Sequence, residues 1–68
     1  MITQEQARET IRELKELYGL TYTEISAITN ISRSHLTAFI KERANLKKNK
    51  LDSIENLKIK YKGEMHNE

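Results

Sequence analysis

The residues Thr29-Asn30-Ile31-Ser32 constrain this chain more than any other stretch. Apolar residues recur at helical spacing on both sides, Ile25 and Ile28, expected to point inward, before the break and Leu36, Phe39 and Ile40 after it. The break therefore separates two helices of about two turns each. Asn is one of the few residues besides glycine that tolerate a positive φ, so Asn30 can reverse the chain in a single step. Ile31 then enters the core, and Ser32 supplies the hydroxyl that caps the following helix.

The flanking patterns are helical as well. Thr3 and Gln6 have the spacing of a capping box, and the helix they open runs to about Tyr18. Its apolar stripe is Ala7, Ile11, Leu14, Leu17 and Tyr18, with Glu5, Arg8, Glu9, Arg12, Glu13, Lys15 and Glu16 over the remaining surface. Gly19 suits the left-handed position that ends a helix, and Thr21 with Glu24 repeats the capping box before Ile25. Arg43 to Lys48 reads as a loop anchored by Leu46. Asn49, with Asp52 in the first turn, opens a last helix whose Leu51, Ile54, Leu57, Ile59 and Tyr61 complete the core. The expectation is an all-α fold, a compact bundle of four or five short helices, with one domain over 1–62 and a frayed tail over 63–68.

At 68 residues the chain makes one domain at most, and its core is only marginally sufficient, so either the packing is very economical or a second copy helps. With no cysteine, neither a disulfide framework nor a thiolate zinc site can contribute. No run is long and apolar enough for a bilayer, and the first residues lack a signal-peptide layout, so a cytoplasmic protein without membrane contact is expected. No nucleophile-base pair, metal cluster or Gly-rich phosphate cradle is visible, and the expectation is a protein that is not an enzyme and uses no cofactor or metal.

The net charge of +2 conceals a division along the chain. Up to Ile31 there are three basic residues against five acidic ones; from Ser32 to Lys62 there are nine against three. Basic charge gathers after the break, where a polyanion could be met. In the helix after the break, Leu36, Phe39 and Ile40 share one face, while Ser34, Ala38 and Lys41 lie opposite with Thr37 at the shoulder. Two helices joined by a tight turn, the second with an outward face of short polar and cationic residues, form a helix-turn-helix arrangement. Short side chains let the backbone approach base edges in the major groove, and an arginine can make paired hydrogen bonds to guanine.

From Gly19 to Ile40, GLTYTEISAITNISRSHLTAFI resembles the lambda-repressor-like helix-turn-helix of Cro and the XRE family of small phage and bacterial regulators. Gly19, Leu20 and Thr21 match the family's opening. Ile25, Ser26, Asn30, Ile31 and Ser32 then follow its order of aliphatic, small, turn, branched and serine positions, and Leu36 and Phe39 take the two apolar positions of its recognition helix. The resemblance implies sequence-specific binding of double-stranded DNA by a small transcriptional repressor. Its recognition helix, about 32–42, would lie in the major groove, in a bacterium or a phage-infected host cell.

Carried over by position, the resemblance implies base reading by Arg33, Ser34, Thr37, Ala38 and Lys41, with Arg33 foremost. It implies backbone contacts by Tyr22, where the family has Gln and where half-buried packing is the alternative, by Ser32, and by Arg43, Asn45, Lys47, Lys48 and Lys50 in and beyond the following loop. His35, at the edge of the recognition face, is placed for a phosphate contact or for plain solvent exposure. A homodimer on two operator half-sites is expected, because one short recognition helix discriminates weakly. Two departures stand out. The recognition helix lacks the family's usual closing glycine and reads Lys41-Glu42-Arg43-Ala44, all compatible with a longer helix. Ile28 is apolar where the family is polar, which keeps a second reading open: a protein-interaction module of antirepressor, antitoxin or inhibitor type with the same fold.

Overall fold

The computed structural model describes residues 2–66, with side chains to Tyr61. The fold is all-α: α1 spans Gln4–Glu16, α2 Tyr22–Thr29, α3 Arg33–Ile40 and α4 Lys48–His66. There are four helices among the described residues, so the fifth that the sequence allowed does not form. The fourth helix also continues past Lys62, where the sequence suggested a tail; Asn67 and Glu68 lie outside the described residues.

The helix starts follow from short-range chemistry. Thr3 Oγ1 accepts from the Gln6 N–H and Gln6 Oε1 from the Thr3 N–H, both at 3.0 Å. Thr21 and Glu24 repeat the exchange at 2.9 and 3.1 Å, and Ser32 Oγ accepts from the His35 N–H at 3.2 Å. Each cap satisfies amides that the helix itself leaves unpaired. An apolar residue just before each start and another five positions on lie in or against the core: Ile2 and Ala7, Leu20 and Ile25, Ile31 and Leu36, Leu46 and Leu51. That spacing is the hydrophobic staple, which sets the direction in which the chain enters each helix.

The fourth helix opens earlier than expected. Lys47 O accepts from the Lys50 and Leu51 N–H groups at 3.0 Å each, so Asn49 lies inside the first turn instead of capping it, and Asp52 lies beyond that turn.

The core gathers Ile2, Ala7, Ile11, Leu14, Ile25, Ile31, Leu36, Phe39, Leu46, Leu51, Ile54 and Leu57. Three expected core residues are instead exposed: Leu17 at 72%, Ile28 at 52% and Ile59 at 62%. The reason is common to the first two. At the end of α1 a step of four from Leu14 reaches Tyr18, just past the helix, which packs half-buried with its ring 5.5 Å from that of Tyr61, and Leu17, the C-cap, is left to the side. In α2 the step of four runs from Ile25 to the buried Thr29, whose Oγ1 donates to Ile25 O at 2.7 Å, and Ile28 is turned outward. In α4 the buried stripe passes through Ile54 and Leu57 to Tyr61 and misses Ile59.

Candidate nucleic-acid interface

The connection between α2 and α3 is built residue by residue. Asn30 has φ 59 and ψ 35, the left-handed conformation, and ends α2. Ile31 is buried at 2%, and its carbonyl accepts a hydrogen bond from Ser26 Oγ, which ties the connection back to α2. Ser32 then caps α3. On α3, Leu36 and Phe39 are fully buried, while Ser32, Arg33, Ser34, His35 and Thr37 are exposed and Ala38 is half-buried. Lys41, the C-cap, is exposed. The base-reading candidates Arg33, Ser34, Thr37, Ala38 and Lys41 thus share the surface of one short helix, with its apolar face turned to the core.

Helix α3 stops at Ile40 and does not run through Glu42, despite four helix-compatible residues in succession. Glu42 has φ 62, and its N–H donates to Phe39 O at 3.0 Å. The Arg43 N–H donates to Ala38 O at 2.8 Å. These two bonds make a Schellman ending, in which the left-handed position is ordinarily glycine. Glutamate occupies it here, and the sequence offered no turn residue to mark it.

Beyond this ending lies the basic segment. Among the described residues, the side chains of Arg33, Lys41, Arg43, Lys47 and Lys48 make no hydrogen bond or ion pair, so five exposed cations on α3 and in the segment after it have no internal partner there. The other backbone-contact candidates are engaged within the chain. Lys50 Nζ donates to Asn30 O at 2.8 Å, where its charge also suits the carbonyl end of α2. Lys15 Nζ lies 3.8 Å from the centroid of the half-buried Tyr22 ring. His35 Nε2 is 3.4 Å from Asn45 O, and Asn45 Oδ1 accepts from Arg8 at 3.3 Å.

Arg8 is the residue that sequence reasoning misplaced. Its pattern position suggested the solvent face of α1, yet it is buried at 6% exposure. Nε donates to Phe39 O at 2.7 Å, and one terminal nitrogen donates to Ala44 O at 3.2 Å and to Asn45 Oδ1 at 3.3 Å. The other terminal nitrogen is 3.4 Å from the exposed Glu5 carboxylate. The guanidinium carbon lies 4.5 Å from the Phe39 ring centroid, a cation-π contact. One arginine of α1 therefore fixes both the end of α3 and the segment after it. Every buried side-chain nitrogen and oxygen among the described residues has a partner.

Among the described residues no group of three or more His, Cys, Asp or Glu side chains could hold a metal ion. No helix there is long and apolar enough to cross a membrane. Set against family models, curated proteins and solved structures, the chain has no match.

Proposed function

We propose that this protein binds double-stranded DNA as a small transcriptional regulator of Cro-like type, with α2 bracing α3 and α3 entering the major groove. One observation carries the reading: the left-handed Asn30 and buried Ile31 present α3 with Arg33, Ser34, Thr37 and Lys41 outward. Arginine and lysine can read guanine edges there, and small neighbours permit close approach. Arg43, Lys47 and Lys48, without partners among the described residues, have the chemistry of phosphate contacts, which hold a protein in register without reading sequence. The same reading makes the protein a cytoplasmic repressor without enzymatic activity. It acts as a homodimer on two half-sites about one helical turn apart.

Selecting bound duplexes from a random pool tests binding, half-site symmetry and sequence together. Enrichment of a two-fold symmetric site is expected, with affinity that falls as salt rises by a log-log slope of about 0.9 per phosphate neutralised. Absence of salt-dependent binding to any duplex would refute the reading.

A second reading draws on Ile28 and Ile59, exposed at 52% and 62%. Ile28 borders a groove between α2 and α4 lined also by Ser53, Asn56, Leu57 and Lys60. In a module of antirepressor, antitoxin or inhibitor type, such a surface would meet a protein, with the fold kept and duplex binding given up. Binding that is insensitive to salt and abolished by Ile28→Asp, with no duplex selected, would favour this second reading.

A further inference from the structure

The first two turns of α1 grip the basic segment that follows α3. The Gln4 side-chain amide exchanges two hydrogen bonds with the backbone of Leu46: Nε2 donates to Leu46 O at 2.9 Å, and Oε1 accepts from the Leu46 N–H at 3.0 Å. Arg8, one turn further along α1, donates to Ala44 O and Asn45 Oδ1. Residues 44–47 belong to no helix, so their backbone polar groups depend on such partners, and Leu46 is the segment's buried side chain. The centre of the segment is thus fixed from α1. Arg43 on one side of it, and Lys47 and Lys48 on the other, keep side chains free of internal partners among the described residues.

We infer that Gln4 and Arg8 are positioning residues for this basic segment, holding it in the one shape in which its cations meet the phosphate backbone of a duplex as a preformed set. The inference rests on the duplex-binding reading above. Its physical basis is preorganisation: a segment ordered before binding loses little freedom on binding, so loosening it weakens association even when no contacting side chain is removed. For Gln4 the effect belongs to phosphate contacts and not to base reading, because its side chain bonds to Leu46 and not to α3, whose Leu36 and Phe39 are seated in the core.

Gln4→Ala and Gln4→Met separate this role from a merely structural one. Both are neutral for neutral, so the net charge is unchanged and any change in salt dependence comes from how the existing cations are arranged. Methionine keeps the length and apolar cover of the side chain should the alanine variant fold poorly. In the free full-length protein, exchange of the Leu46 amide is expected to accelerate about tenfold, as for one hydrogen bond of ordinary strength removed. On a mixed-sequence duplex, at a temperature where the variants are folded, the log-log salt slope is expected to become shallower by about 0.9 for each phosphate no longer neutralised. Sequence preference in the selected pool is expected to stay as in the wild type.

Wild-type protein that binds, beside variants with a fast Leu46 amide and an unchanged salt slope, would overturn the inference and leave the duplex-binding reading standing. A Leu46 amide that exchanges no faster in either variant would overturn it as well, since the clamp would then order nothing. Wild-type protein that binds no duplex refutes the parent reading and the inference together.

Discussion

Arg8 Nε donates to Phe39 O at 2.7 Å while the guanidinium lies against the Phe39 ring, so one side chain meets both the backbone and the side chain of a residue 31 positions away. The carbonyl it satisfies lies in the last turn of α3, and the further carbonyl of Ala44 lies in the segment beyond. Arg8 closes the core at the end where α3 gives way to loop.

Replacing Arg8 with methionine keeps the aliphatic bulk and removes the donors. Phe39 O loses a short charge-assisted bond in a buried setting, and Ala44 O loses its bond from the same side chain. A loss of about 2 to 4 kcal/mol is expected. In a domain of this size each kcal/mol moves the melting temperature by about 4 to 8 °C, so thermal denaturation reads the effect directly. Arg8→Lys is expected to recover little of it, because an ammonium cannot reproduce the planar fork that reaches Phe39 and Ala44 together.

Among the described residues two non-glycine residues adopt left-handed backbone, and they are expected to respond differently to glycine. Asn30 at φ 59 has a side chain that tolerates this region, so Asn30→Gly should change stability by only a few tenths of a kcal/mol. Glu42 at φ 62 has no such tolerance, and Glu42→Gly is expected to stabilise by about 0.5 to 1 kcal/mol, net of the extra freedom glycine brings to the unfolded chain. Asn30→Val, which forces a β-branched residue into the same region, should lose about 1 to 2 kcal/mol or more. Urea unfolding of the three variants would separate these outcomes, and equal gains at the two glycine substitutions would contradict this account of Glu42.

The two leucines at the end of α1 supply a sharper test of packing. Leu14 is 2% exposed and Leu17 72%, although both fit a helical apolar pattern. Leu14→Ala should cost about 2 to 5 kcal/mol, whereas Leu17→Ala should stay within about 0.5 kcal/mol in the monomer. A large loss at Leu17 that depends on protein concentration would reveal a second copy seated there.

These cases mark where the sequence was informative. Caps at Thr3, Thr21 and Ser32 and the turn at Asn30 were legible because each depends on chemistry within about four residues. Spacing alone could not separate the step of three from the step of four, which misplaced Leu17 and Ile28. The left-handed Glu42 had no marker, because tertiary closure by Arg8 and Phe39 ends α3 where local propensity would have continued it. Arg8 itself read as one more charge on a charged helix. Its burial depends on carbonyls more than thirty residues distant, as the 31-residue separation from Phe39 illustrates. One signal was present: Gln4 and Arg8 stand four apart beside Ala7 and Ile11, on the flank of the buried stripe. Long polar side chains in that position can cross to a neighbouring backbone instead of entering water.

The proposed interface divides α3 from the segment after it, and that division can be tested with two substitutions of like charge. Arg33 stands in the first turn of α3, exposed and without an internal partner among the described residues, where a guanidinium can pair with a guanine edge. Arg33→Ala is expected to cost about 1 to 3 kcal/mol on the preferred duplex and to relax selectivity at one base position of each half-site. Lys47 directly precedes α4 and does not belong to α3, and a point charge there suits phosphate. Lys47→Ala should weaken all duplexes by a similar factor and make the salt slope shallower by about 0.9, one phosphate's share. Neither side chain is buried, so both variants should unfold at the wild-type denaturant midpoint. Titration of each variant against the selected site and a scrambled duplex, across a salt series, gives both quantities. Arg33→Ala losing affinity equally on the two duplexes would place Arg33 on the backbone and remove the base-reading role from the start of α3.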